Sequence, residues 1–338
     1  MIIFVDKNSK NTENTFLTIT DAINSISDAA TEEVTISIAP GRYYERVTLE
    51  RDNITLLGTG KSNAYTEIFF DAAAFDIMPD GSKCGTFRSY TMFVGASHIK
   101  IDNLTISNTS GDPKIKGQAI ALYADGDDII VQNCRLLGRQ DTLFTGPLPP
   151  KEIQPGGFIG PRQFAERING HQLYDNCYIC GDVDFIFGSA TAYFRNCTFE
   201  SIYRNREASD NQHPDNNPSI QGYVTAASTP LGQEYGYVFE SCIFTAAKDM
   251  PPESVYLGRP WRDYAHTVFL NCTFGKQINP LGFHDWNKPN ARENVKYFTH
   301  NCVYSGAENT PFIPQAAFAC EIDADAAQKY TLDKVMKG

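Results

Sequence analysis

With 338 residues, a net charge of −11 and a pI near 5.0, the chain carries an average field that repels polyanions, which argues against nucleic acid as a partner. Its 42% apolar content suffices for a continuous core. No run approaches the roughly 20 apolar residues of a membrane-spanning helix, so no membrane segment is expected.

The chain opens on MIIFVDKNSK, strand-like at once and too short in apolar residues for a signal core. From Thr18 to Ala30 the sequence predicts an N-terminal capping helix, since Ile19, Ala22, Ile23 and Ile26 recur at helical spacing and Thr18 with Asp21 resembles a capping box. Val34–Thr35–Ile36–Ser37–Ile38 and later Ile99–Lys100–Ile101 alternate as strands do. Asn53 opens NITLLG and Asn103 opens NLTISN. The landmark then becomes Asn-Cys, at Asn133-Cys134, Asn176-Cys177, Asn196-Cys197, Asn271-Cys272 and Asn301-Cys302, with Ser241-Cys242 a substituted copy. Irregular gaps between such landmarks suit the coils of a solenoid that carries loops on one side. Interior asparagines would then hydrogen-bond along the stack, and aligned cysteines would pack as small apolar groups. The expected fold is all-β, a right-handed parallel β-helix forming one domain over residues 1–338, with a terminal helix near Asp325 to Met336.

Seven residues past Cys134 stands Asp141, and seven past Cys177 stands Asp184. On stacked parallel strands, equivalent positions of successive rungs lie about 4.8 Å apart. Two carboxylates would share one site, where like charges push their proton affinities apart. A lone aspartate in a loop is usually a solvated carboxylate; a register-matched pair in apolar surroundings reads as an acid/base or acid/nucleophile pair. Gln118 and Gln140 beside the pair are candidate oxyanion donors, though either alone could be a turn residue. The Arg259-Pro-Trp261 tripeptide places an indole where it must pack against something, a sugar ring being one candidate.

The blocks Gln118-Ala-Ile-Ala-Leu122, Gln140-Asp-Thr-Leu143, Asp184-Phe-Ile-Phe-Gly188 and Leu257-Gly-Arg-Pro-Trp261, with Gly41-Arg-Tyr-Tyr-Glu45 before them, resemble the signature blocks of the pectin methylesterases. The resemblance implies a parallel β-helix that removes methyl groups from methyl-esterified galacturonate, with no cofactor and no metal. It implies Asp184 as nucleophile, Arg259 orienting it, Asp141 as general acid and base, and Gln140 and Gln118 at the oxyanion. Trp261, Phe144, Phe187 and Arg204 are the substrate-binding candidates, and the partner is methyl-esterified pectin or an oligogalacturonide, bound by a monomer.

Some features depart from the family pattern. Gly181-Asp182 stands where Gly-Thr is usual, so Asp182 is a third carboxylate near the pair. Two long connections, between Phe144 and Tyr174 and between Tyr203 and Gln221, flank the site and are expected to wall the cleft, favouring short oligomers. Arg139, Arg162, Arg167, Arg204 and Arg206 are the expected local positive charge. Retaining glycoside hydrolysis also suits two close carboxylates, and a lyase or a catalytically dead carbohydrate binder are further alternatives. Nine cysteines, mostly tied to landmarks, read as buried free thiols, which favours a cytoplasmic location over a secreted one.

Overall fold

The computed structural model describes residues 1–10, 12–27, 31–204 and 219–337. Three sheets run the length of the molecule. The first is 12-stranded, the second 10-stranded and the third 7-stranded. Each coil contributes a strand to the first sheet, turns, adds one to the second, then reaches the third. Except for the antiparallel pairing of Val303–Tyr304 with Thr310–Pro311 at the C-terminal end, neighbours within each sheet are parallel. Apart from one register shift between Val183 and Ile186 in the third sheet they stack in register, for example Ile36↔Leu56, Leu56↔Ile101 and Ile101↔Val131. The architecture is a parallel β-helix.

Period-two alternation drives this packing. In Val34–Ile38 the residues Val34, Ile36 and Ile38 are buried and the two threonine and serine positions between them are half-exposed. In-register stacking repeats each inward side chain on the next rung, so the core is built of columns. The column that begins Ile36, Leu56, Ile101, Val131 becomes aromatic at Tyr174, Phe194, Phe239 and Phe269. The aromatic rings lie face to face at 4.7, 4.6 and 4.7 Å, the spacing of the rungs themselves.

The landmark residues mark the turn from the first sheet to the second. Asn103, Asn133, Asn176, Asn196, Ser241, Asn271 and Asn301 all have φ between 50° and 57°, the left-handed region that Asn tolerates better than other non-glycine residues. Their side chains lie outside the core, half-buried or exposed, which corrects the expectation of interior asparagines. The expected ladder is partial: Asn176 Nδ2 donates to Asn133 Oδ1 at 2.8 Å, and Asn301 Nδ2 to Asn271 Oδ1 at 2.8 Å. Asn53 belongs elsewhere. It precedes a strand of the first sheet, and since Ile54 pairs with Ile99, its rung equivalent is His98 rather than Asn103.

The following residue turns inward. Leu104, Cys134, Cys177, Cys197, Cys242, Cys272 and Cys302 form a buried column, the later thiols donating to first-sheet carbonyls at 3.3–3.4 Å, as Cys197 does to Tyr174 and Cys272 to Phe239. All nine cysteines are free and only Cys320 is exposed. Six of the eight buried thiols lie in this column, with Cys84 and Cys180 buried outside it, and packing accounts for the column without reference to redox compartment.

The ends differ from the sequence expectation. The N-terminal helix spans only Ile19–Asn24, and Asp28 to Ala30 lie outside the described residues. Thr18 Oγ1 accepts from Asp21 N at 3.0 Å, and Glu45 carboxylate oxygens accept from Ile19 N and Thr20 N, both at 3.0 Å. Glu45 therefore holds a helix N-terminus, favourably for its charge. Near the C-terminus, extended Thr331 (φ −68°, ψ 150°) interrupts the expected helix, leaving Ala324–Ala327, a 3-10 turn at Gln328–Tyr330, and Leu332–Met336. These pieces cover the outer face of the first sheet at Tyr193, Val238 and Val268. Among the described residues no helix is long and apolar enough to cross a membrane.

Candidate active site

The third sheet carries the candidate site. Leu143 pairs with Ile186, so the same register two residues earlier sets Asp141 beside Asp184, one rung or about 4.8 Å apart along the axis. Asp141 N donates to Val183 O at 3.1 Å. Both aspartates occupy the left-handed region, Asp141 at φ 66° and Asp184 at φ 50°. At Asp184 the cause is a bulge. Val183 pairs with Tyr223 and Ile186 with Thr225, so three steps on one strand face two on the other, and the extra residue re-aims its side chain.

Arg259, on the strand Val255–Pro260, grips Asp184 as a fork. Nε donates to Oδ1 at 2.8 Å and Nη2 to Oδ2 at 2.7 Å, both partners being at least 90% buried by side chain. This is the strong bidentate arrangement. The guanidinium is itself sandwiched, 4.0 Å from the Tyr223 ring centroid and 3.7 Å from that of Trp286. Among the described residues Asp141 has no such partner. Burial raises its pKa well above the usual carboxylate range; the Asp184 charge adds to the rise, and Arg259 opposes it. The two neighbouring carboxyl groups thus sit in different environments, one clamped by a cation and one held toward its protonated form.

Gln140 is half-buried, and its Oε1 accepts from Arg204 Nη1 at 3.3 Å. Arginine can only donate, so this contact fixes the amide orientation and leaves its NH2 turned elsewhere. Gln118 is also half-buried, on the adjacent rung, where Ala119 N donates to Gln140 O at 3.1 Å. Its side-chain amide has no hydrogen-bond partner among the described residues.

Several sequence expectations are corrected here. Phe144 is fully buried and Phe187 is 4% exposed, so neither ring is a sugar platform. They form the floor under Trp261, whose ring lies 5.7 Å from Phe187 and 6.5 Å from Phe144. Trp261 is a half-exposed ring packed on that cluster, as is Trp286, and it is flanked by Phe87 and Phe158. Arg204 is 8% exposed and holds Gln140 rather than facing open solvent. Asp182 is fully buried, its Oδ2 accepting from Arg139 Nε at 3.0 Å and its Oδ1 from Val183 N at 2.8 Å. It anchors the bulge. Arg162 pairs with Asp125 at 3.2 Å and Arg167 donates to backbone carbonyls, so the expected local positive field is largely spent on internal contacts. Arg206 lies outside the described residues.

Sequence reasoning missed Tyr223, Trp286 and Lys288. Lys288 Nζ donates to Pro260 O at 2.7 Å and Trp261 O at 3.2 Å, and sits 4.4 Å from the Trp286 centroid. Burial, then the neighbouring Arg262, lowers its pKa to about 8. A usable signal existed for Trp286: it is the second of only two tryptophans, and its indole must find a packing partner just as that of Trp261 must. Among the described residues no three His, Cys, Asp or Glu side chains converge as a metal-ligand group.

The family model described as Pectinesterase matches residues 6–147 and 166–338. Pectinesterase A of Dickeya chrysanthemi is 31% identical over 361 aligned positions, covering 95% of this chain and 87% of that protein. Pectinesterase QRT1 of Arabidopsis thaliana is 28% identical over 320, covering 93% and 72%. Among solved structures, pectin methylesterase PemA from Erwinia chrysanthemi superposes with a TM-score of 0.75 at 29% identity, covering 99% of this chain and 96% of that one. A pectin methylesterase in complex with a hexasaccharide gives the same TM-score, identity and coverage.

Proposed function

The chain belongs to the pectinesterase family, the carboxylic ester hydrolases of methylated pectin, and we propose that it removes methyl groups from methyl-esterified galacturonate, with Asp184 as nucleophile and Asp141 as general acid and base. The observation that carries this reading is the asymmetry of the carboxylate pair. Arg259 fixes both oxygens of Asp184, while burial and the Asp184 charge favour the proton on Asp141.

In this mechanism an Asp184 oxygen attacks the ester carbonyl carbon. The tetrahedral oxyanion accepts from the Gln140 amide, aimed by Arg204, and from Gln118, in a site where fixed donors outperform water. Asp141 donates its proton to the departing methoxide, which leaves as methanol. The product of this half is an anhydride between Asp184 and the galacturonate carboxyl. Asp141, now ionised, takes a proton from water, whose oxygen attacks the acyl carbon and restores Asp184. Trp261 offers a half-exposed ring against which a pyranose packs. The protein acts as a monomer, the whole chain forming one catalytic domain.

Rung spacing alone also admits retaining glycoside hydrolysis. Assaying wild-type protein on methylated pectin for methanol, new reducing ends and unsaturated products separates the classes. Methanol without chain cleavage is the expected result; cleavage without methanol would replace the reading.

A further inference from the structure

The longest described connection, residues 146–170, joins strands Leu143–Thr145 and His171–Asp175, and its residues 148–165 lie outside the ranges matched by the family model. It is packed rather than loose. Phe158 is buried against Phe87 and Trp261, and a Cβ on Gly160 would meet Phe87 backbone and Cβ atoms at 2.7–2.8 Å. This segment closes one side of a groove of about 390 Å³, where Ile159, Gly160, Pro161 and Gln163 face Arg46, Thr48, Arg88 and Tyr90.

The groove gathers positive charge in an acidic protein. Arg46 lies with its guanidinium 4.1 Å from the Tyr90 ring centroid and donates Nη2 to the Arg88 carbonyl. Arg88 donates Nε to Cys84 O and Nη2 to Lys83 O. Neither arginine makes an ion pair among the described residues, and Nη1 of each has no hydrogen-bond partner there, while Nε of Arg46 is buried without one. Both arginines line the groove, each is held by carbonyl contacts, and each keeps donors that a carboxylate could take. Tyr90 OH and Thr48 Oγ1, 3.5 Å apart, add neutral groups suited to sugar hydroxyls.

The groove is also in line with the reacting centre. Thr48 pairs with Phe93, Phe93 with Tyr123, and Tyr123 with Phe144 on one outward-facing column of the third sheet. Its strand is three rungs from that of Phe144, roughly 14 Å along the axis, a few sugar units from Asp141. We propose that Arg46 and Arg88 form a distal subsite for the free carboxylate of an already de-esterified uronate unit, so that a substrate chain long enough to reach it is held by its charged end while an esterified unit reacts. This rests on the esterase reading above.

The test compares wild type with R46Q/R88Q on oligogalacturonides, long and short, either fully methylated or partly de-esterified. The double variant should raise KM roughly tenfold on long, partly de-esterified chains, the loss expected of one charge-assisted hydrogen bond in an open groove. Its kcat should not change, and KM on short or fully methylated chains should match wild type. Arg46→Lys should recover part of the loss. An unchanged ratio of KM between charged and uncharged long chains would overturn the proposal. If wild type releases no methanol from any substrate, the esterase reading fails, and calorimetric titration with fully de-esterified oligogalacturonate decides the groove separately. Weaker binding by R46Q/R88Q supports the subsite, and equal binding overturns it.

Discussion

Replacing Arg259 with methionine tests whether the fork on Asp184 is what organises the site. The substitution keeps side-chain length but deletes two charge-assisted hydrogen bonds at 2.8 and 2.7 Å and leaves a carboxylate of 10% side-chain exposure unpaired. Breaking a buried pair from one side costs about 3–5 kcal/mol. The two ring contacts at 4.0 and 3.7 Å contribute about 0.5–1 kcal/mol each, more where desolvated, partly offset by apolar packing of the methionine. Denaturant unfolding of wild type, R259M, D184N and R259M/D184N closes a thermodynamic cycle. The double variant should be more stable than R259M alone, because removing the stranded charge relieves its desolvation. Methanol release by R259M should be abolished, since Asp184 is no longer aimed. A cost below about 1 kcal/mol for R259M, or single effects that add within about 0.5 kcal/mol, would refute the fork as the organising contact.

Asp141→Asn should lower methanol release by roughly 10²–10⁴-fold, the usual contribution of a general acid/base. The same variant should be more stable than wild type at neutral pH. The folded-state pKa of Asp141 is raised, so its stabilising share is full below the unfolded value and is lost as pH rises through the folded one, at about 1.4 kcal/mol per pH unit between the two; a stability difference that does not grow with pH counts against this. For Lys288 the sign is opposite in origin: its pKa falls from 10.5 to about 8, so wild-type stability should decline as pH is lowered from 10.5 to 8 and level off below. K288M should lack that decline in a denaturant series. Thiol titration should find one reactive cysteine, Cys320, in the native protein and nine after unfolding; several disulfides would contradict the column. Turnover should be faster on pectin pre-cut to short oligomers than on intact polymer of equal ester content, because the 146–170 connection stands against Trp261; equal rates would remove that wall as a determinant.

The sequence makes the repeat legible because each coil must place a residue tolerant of positive φ at one turn and a small apolar residue just inside it. Asn-Cys meets both demands, and counting from it finds Asp141 and Asp184. The count works because the strands stack in register, with Leu143 opposite Ile186. It misplaces Asn53, whose positive φ serves a different turn. The outward aromatic column was not legible. Phe144 and Phe187 alternate as outward residues should, yet the connections carrying Phe87 and Phe158 fold over them, and nothing in local alternation reports a distant loop. Arg204 and Asp182 were ambiguous for a related reason. Whether a charge faces substrate or braces a neighbour depends on partners 64 and 43 residues away. Glu45 is the converse case, a motif residue whose task is to hold the first helix.

The most direct measurement is methanol release from methyl-esterified oligogalacturonide by wild type and Asp184→Asn, with circular dichroism confirming that both are folded. The mechanism predicts one methanol for each carboxylate formed by wild type and none above background from the variant. Methanol release by folded Asp184→Asn at near wild-type rate would contradict it.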